Sequence, residues 1–133
     1  GLLSEKDLDF FSYKPIKSLV DFIRQKKSIS ICFPRNINNY KKFVENVNPD
    51  IINIDYNIDP LIIRDTIDIP VQGGLDPKIL LQNKEIVRNE VTKYLKTFDK
   101  KRYIFNLGHG VLPETNPDMV IYLVDEVRSF NGQ

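Results

Sequence analysis

Four times along this chain a short apolar run gives way to a segment whose apolar residues fall at helical spacing. That alternation limits the fold more than any other feature of the sequence. The runs are Ser28-Ile29-Ser30-Ile31-Cys32-Phe33, Ile51-Ile52-Asn53-Ile54-Asp55-Tyr56, Ile69-Pro70-Val71-Gln72-Gly73 and Tyr103-Ile104-Phe105-Asn106-Leu107. Each is bounded by turn-forming residues, so each reads as a strand. The predicted strands cover about residues 28–33, 51–56, 69–74 and 102–107.

The intervening segments carry helix signals. Asp59-Pro60, Asp76-Pro77 and Asn116-Pro117 each place a capping side chain before a proline whose fixed φ suits the first helical turn. Tyr40, Phe43, Val44 and Val47 mark a short helix after the first strand. Ile86, Val87, Val91, Tyr94, Leu95 and Phe98 share one face of a longer helix after Asp76-Pro77. Val120, Leu123, Val124 and Val127 form the buried stripe of the last helix. A further helix precedes the first strand. Ser4 caps it, with Asp7 at the third position of a capping box, and Leu8, Phe11, Leu19, Phe22 and Ile23 recur at helical spacing. Pro15 lies inside this run, and the loss of its N–H predicts a kink there or a split into two helices.

Strands alternating with helices build βα units and a parallel sheet, and right-handed crossovers set successive strands side by side. Two architectures satisfy the pattern: an open doubly wound sheet, and four consecutive units of an eight-unit barrel. No G-x-G-x-x-G follows the first strand, which counts against a nucleotide-binding open sheet. A length of 133 residues suits one domain, residues 1–133.

Composition removes several classes of function. Apolar residues at 41% and charged residues at 28% are ordinary for a globular domain. Nineteen basic residues oppose eighteen acidic ones. The densest basic run, Lys100-Lys101-Arg102, reads as a solvated loop. No basic stripe with interleaved aromatics indicates a nucleic-acid partner. Cys32 is the single cysteine, which rules out an internal disulfide and a multi-cysteine zinc site and fits a reducing cytosol. Apolar runs of a few residues are far short of a membrane span. The opening Gly1-Leu2-Leu3-Ser4-Glu5 has no signal or transit pattern and no initiator Met, as expected of a cut or processed chain. The abundance of Ile, Asn and Lys reads as codon bias, with no function attached to the asparagines.

In either architecture ligands gather at the carboxyl ends of the strands. That singles out Pro34-Arg35, Asp55-Tyr56, Gln72-Gly73-Gly74 and Gly108-His109-Gly110. His109 is the only histidine, and it stands between two glycines directly after a strand. Glycines there let a ligand approach the backbone, and the imidazole can bind an anion or move a proton near neutral pH. Gly73-Gly74 repeats this logic, or forms a tight structural turn. Asp55 either does chemistry at the strand end or orients a neighbouring side chain. Arg35 has the chemistry to bind a carboxylate, though a solvated loop arginine is the simpler reading.

The run Ile104-Phe105-Asn106-Leu107-Gly108-His109-Gly110-Val111-Leu112-Pro113-Glu114-Thr115 resembles the I-F-N-L-G-H-G-hydrophobic-L-P-D/E-T hallmark near the carboxyl end of uroporphyrinogen decarboxylases. Val71-Gln72-Gly73-Gly74-Leu75-Asp76-Pro77 is similar to that family's Q-G-N-L-D-P turn, with Gly74 where asparagine is usual. Gly1-Leu2-Leu3-Ser4 matches an A-G-L-L-S segment midway through the family, and Ile54-Asp55-Tyr56 a strand end usually read D-W.

The resemblance implies a carboxy-terminal half of a TIM-type barrel, with about four of its eight βα units. It implies a cofactor-free, homodimeric cytoplasmic enzyme that removes four acetate carboxyls from uroporphyrinogen III, giving coproporphyrinogen III for haem synthesis. The family's arginine pair, aspartate, tyrosine and serine all lie before the equivalent of Gly1. Only the histidine of the glycine loop transfers, onto His109, as a substrate-binding group, with Gly73, Gly108, Gly110 and Asp55 as possible site-lining residues. A half barrel missing those partners is expected to lack activity, and to bury its open edges by self-association or against a missing amino-terminal half. A remnant of a broken gene is the alternative. The related corrinoid-dependent methyltransferases bind zinc through H-x-C and a later cysteine. Here Ser30-Ile31-Cys32 stands in that place without the histidine, and no second cysteine follows.

Overall fold

The computed structural model describes residues 4–130, so the Gly1-Leu2-Leu3 match lies outside the described residues. Strands β1 (Ile31–Cys32), β2 (Ile51–Ile54), β3 (Val71–Gly73) and β4 (Tyr103–Ile104) form one sheet in the order β1-β2-β3-β4. All three pairings are parallel. Helices α1 (Glu5–Leu8) and α2 (Lys14–Gln25) precede β1. Helices α3 (Tyr40–Val47), α4 (Pro60–Thr66), α5 (Lys84–Thr97) and α6 (Pro117–Ser129) follow the four strands in turn.

The strands are shorter than the apolar runs suggested. β1 and β4 each have a single neighbour and pair with it over two residues. Contact between the last two strands resumes beyond β4, through a parallel bridge at Leu75 and Leu107 and the Gly108 N–H donating to the Leu75 carbonyl at 2.8 Å.

Register decides between the two architectures. Cys32, Ile52, Val71 and Tyr103 are aligned across the sheet and share one face, because side chains alternate along each strand. On that face Ile52, Ile54 and Val71 are buried with Phe43, Val47, Ile63, Val87 and Val91 from the helices. Ile31, Ile51, Asn53, Gln72 and Ile104 share the opposite face. There Ile31 stays 50% exposed and Ile104 44%. A doubly wound sheet covers both faces. Strands in sequential order with right-handed crossovers put every helix on one face and leave the other bare, which is the inner wall of a barrel. The fold is a partial (β/α) barrel.

Local chemistry accounts for the helices, with some departures from expectation. Ser4 accepts the Asp7 N–H at 3.2 Å and donates to its carboxylate at 2.6 Å, so the capping box forms. Pro15 does not split the first helix. A π-helical turn over Asp9–Tyr13 joins α1 to α2, and the Lys14 N–H reaches the Asp9 carbonyl. Widening the ladder before the proline absorbs its missing donor. Phe11, Leu19 and Phe22 face outward, and Tyr13 and Val20 make the core contact instead.

Asp76-Pro77 starts only a 3₁₀ segment, Pro77–Leu81, and α5 begins afresh under the Asn83 cap. Ile86 and Val124 lie outside the buried stripes expected of their helices. The asparagines are in fact used: Asn39, Asn83 and Asn116 cap α3, α5 and α6, and Asn48 closes α3 in the left-handed region. None of the described helices is long and apolar enough to cross a membrane.

The first two strands are joined at their amino ends by a polar tie. The Ser30 hydroxyl and N–H donate to Asp50 Oδ2 at 2.7 and 2.8 Å, and Arg24 adds its charge. The Ser30 hydroxyl first, then the Ser30 N–H, hold the Asp50 carboxyl below its usual range. A depressed carboxyl contributes stability above its unfolded value of about 3.9 and loses it as pH falls through the lower folded value. Asp50→Asn should therefore flatten the acid side of a urea-stability profile below about pH 4. Its cost at neutral pH should be about 1 kcal/mol, kept low because the carboxylate is one-third exposed.

Candidate functional site

The carboxyl end of the sheet is built on backbone contacts. Asp55 ends β2 and is 2% exposed. Its Oδ1 accepts the Tyr56 N–H at 2.8 Å, and its Oδ2 accepts the Asn36 N–H of the β1 loop at 3.3 Å. The Asp55 N–H donates to the Tyr40 hydroxyl at 2.9 Å. Burial, more than any other cause, raises the Tyr40 pKa and keeps that phenol neutral. With both oxygens taken by backbone donors, the Asp55 carboxylate is arranged to orient loops.

At the end of β3 the chain turns through Gly73 and Gly74 at φ of +84° and +105°. Two phenols, Tyr94 buried and Tyr103 half-buried, hold the turn: Tyr103 donates to the Gly73 carbonyl at 2.7 Å and Tyr94 to the Gly74 carbonyl at 2.6 Å. Burial, assisted by Glu90, Asp76 and Asp59, pushes Tyr94 up to about 12. Burial raises Tyr103 further, and its ring stacks on Phe98 at 4.4 Å. A Cβ on Gly74 would lie 2.9 Å from both the Tyr94 ring and Ile54. An asparagine there, the residue of the Q-G-N-L-D-P turn that this segment resembles, would strike both side chains from its Cβ onward.

The loop after β4 lies across the end of β2. A Cβ on Gly108 would stand 2.4 Å from the Tyr56 nitrogen and 2.9 Å from the Asp55 carbonyl carbon. Gly108 is thus buried against the Asp55–Tyr56 peptide, whereas a Cβ on Gly110 meets nothing within 4 Å. Between them His109 is exposed, and its imidazole has no partner among the described residues. Arg35, on the β1 loop, is likewise exposed, with a guanidinium that has no partner among the described residues.

The structure therefore brings Asp55, Gly73 and Gly108 together beneath a rim that carries His109, and leaves Gly110 open. Sequence reasoning missed the phenols Tyr40, Tyr94 and Tyr103. The usable signal is that a buried tyrosine hydroxyl seeks a partner, though its identity is invisible in the sequence. It also missed Asn53 on the inner face, whose Oδ1 is buried beside Gly73 without a partner among the described residues.

A cleft of about 620 Å³ lies elsewhere, between Arg64, Asp65, Lys96 and Lys100-Lys101. Arg64 and Lys96 sit in the last turns of α4 and α5, where cations complement the helix dipoles, so that cleft is far from the strand ends. The residues in the zinc position do not suit a metal. Ser30 is engaged by Asp50, and Cys32 lies on the helix-covered face with its thiol pKa raised by burial first and Asp50 second. No cluster of three or more metal-ligating side chains occurs among the described residues.

Two glycines of one motif should respond differently to the same change. Gly108→Ala should destabilise by about 2 kcal/mol or more, because the added methyl group strikes backbone. Gly110→Ala should stay within about 0.5 kcal/mol. Tyr94→Phe strands the Gly74 carbonyl and should cost about 1–3 kcal/mol. A phenol whose folded pKa is raised contributes stability below its unfolded value near 10 and loses it as pH rises toward about 12. Tyr94→Phe should remove part of that alkaline loss, as measured by denaturant unfolding.

Comparison with known proteins places the chain in a family. Residues 1–130 match the family model for uroporphyrinogen decarboxylase (URO-D). The uroporphyrinogen decarboxylase of Rickettsia felis is 37% identical over 134 residues, covering 98% of this chain and 39% of that protein. Those of Rickettsia canadensis and Rickettsia bellii are 37% and 39% identical, with the same 98% of this chain and 40% and 39% of their own lengths covered. The chain thus spans about two-fifths of the curated relatives it matches. By a match that runs through the four strands and the glycine–histidine loop, this chain belongs to the uroporphyrinogen decarboxylase family.

Proposed function

We propose that this chain is the carboxy-terminal part of a cytoplasmic uroporphyrinogen decarboxylase, and that it supplies the substrate-binding wall on which His109 stands. The observation that carries this reading is the seat of Gly108 on the Asp55–Tyr56 peptide. It holds the single imidazole of the chain at the carboxyl ends of parallel strands, where barrel enzymes place their ligands.

Decarboxylation of an acetate on a pyrrole leaves an electron pair on the carbon attached to the ring. A protonated pyrrole accepts that pair, so the reaction needs no cofactor. The substrate carries eight carboxylates, and the cleft must meet them with cations and hydrogen-bond donors. His109 is one such donor. The family's arginine pair, aspartate, tyrosine and serine would come from the preceding half of the barrel.

This chain alone would then be inactive, and its bare wall would need a cover. Ile31 and Ile104 on the inner face, with Phe10, Phe11, Leu19 and Phe22 on the first helical run, leave an apolar surface open. The amino-terminal half of a barrel is its natural occupant, and a second copy of this chain would serve in its absence, in keeping with the family's homodimers.

Incubating the pure chain with uroporphyrinogen should yield no coproporphyrinogen. A rate near that of a full-length enzyme would overturn the proposal. Adding the complementary amino-terminal segment of a uroporphyrinogen decarboxylase should restore turnover, and His109→Ala should lower it by about tenfold or more. Light scattering of the chain by itself should show dimers or larger species, against a monomer if the bare face needs no cover.

A further inference from the structure

β1 and β4 lie at opposite edges of the sheet, with two strands between them. The loops that follow them nevertheless both touch the end of β2, each at Asp55. Its carboxylate takes the Asn36 N–H from the β1 loop, and its backbone seats Gly108 from the β4 loop. Asn36 is held at a φ of +57°, and the Arg35 N–H closes a tight turn onto the Phe33 carbonyl at 3.0 Å. Both loops are therefore fixed by short-range bonds rather than left to solvent. Each presents a side chain one residue from its attachment point: Arg35 beside Asn36, and His109 beside Gly108. Both side chains are exposed, and neither has a partner among the described residues.

A buried carboxylate is costly unless its oxygens are satisfied. Asp55 is satisfied by backbone donors from its own loop and from the β1 loop. No cation reaches it among the described residues, so Arg35 is not spent on neutralising it. A guanidinium and an imidazole, each exposed and one residue from a backbone contact with Asp55, suit the oxygens of a ligand that carries several carboxylates.

We propose that Arg35 and His109 form a two-point clamp for carboxylates of a multiply acidic ring ligand, and that Asp55 is the positioning residue that brings the two loops together. The clamp rests on the substrate reading given above and adds to it a second anion-binding group and the residue that places both. Asp55 touches no ligand in this arrangement. It acts through the Asn36 N–H and the Gly108 seat.

The single histidine makes the test direct, because one imidazole resonance in the NMR spectrum reports on His109. Uroporphyrin, the stable oxidised form with the same eight carboxylates, and mellitate, a benzene ring with six, are titrated separately. Lys100→Ala, at the other end of the sheet, serves as the control. Uroporphyrin is expected to shift both the His109 ring and the Arg35 side-chain resonances. Arg35→Ala should weaken binding by about tenfold or more, as loss of a charged hydrogen bond does. Arg35→Lys should recover part of that loss. Asp55→Asn keeps an acceptor for the Tyr56 N–H and sets an amide NH₂, which cannot accept, against the Asn36 N–H. It should broaden or split the His109 resonance and weaken binding while far-ultraviolet circular dichroism stays unchanged.

If uroporphyrin shifts His109 equally in wild type and Arg35→Ala, the clamp is overturned and the substrate reading survives. If mellitate binds through both residues and uroporphyrin does not, the clamp survives and the porphyrinogen reading falls. Binding of neither ligand overturns both. Should Asp55→Asn fail to fold, the Arg35 variants decide the matter alone.

Discussion

A right-twisted strand feeding a helix and then a parallel neighbour turns one way, and in this chain it does so at each step of the sheet without reversal. Sequential order with uniform handedness forces every connecting helix onto one face. Everything else in the structure answers to that constraint. The covered face takes Ile52, Ile54 and Val71 into the core with α3, α4 and α5, whereas Ile31 and Ile104 on the other face stay open. It also gathers the carboxyl ends of all four strands at one rim, so the loops bearing Arg35, Asp55, Gly73 and His109 belong to a single surface.

That rim is held by bonds between side-chain tips and backbone. Tyr94 and Tyr103 come from different elements and capture the carbonyls of adjacent glycines. Tyr40 reaches the Asp55 N–H from α3, and Asp55 reaches Asn36 in the opposite direction. A buried phenol kept neutral can accept or donate without the desolvation penalty of a charge, so such a network stiffens the rim without engaging the exposed Arg35 and His109 side chains. Gly108 contributes by the absence of a side chain. Its Cα lies where any Cβ would strike the Asp55–Tyr56 peptide, and this close approach places His109.

The elements were legible in the sequence where local chemistry dominates. Asp59-Pro60 and Asn116-Pro117 open α4 and α6 as their caps predict. Asp76-Pro77 carries the same signal and yields only a 3₁₀ turn, because the apolar stripe that sustains a helix begins later, beyond Asn83. Phe11, Leu19 and Phe22 have the spacing of a buried face and are exposed, because helical spacing identifies a stripe without naming what it packs against. Pro15 signalled a disturbance, and the backbone met it with a π-helical turn that no local rule specifies.

By itself the sequence determined the βα alternation, the parallel sheet, the position of His109 between two glycines at a strand end, and the family. All of these rest on residue order, chain stereochemistry and local hydrogen bonding. Tertiary structure alone decided that the sheet is one-sided, that Gly108 seats on Asp55–Tyr56, that three tyrosine hydroxyls anchor the rim, and that the loops of the two outer strands share Asp55. These depend on contacts between residues far apart in the chain. A side chain's identity states what it can bond to, and only the folded arrangement selects the partner.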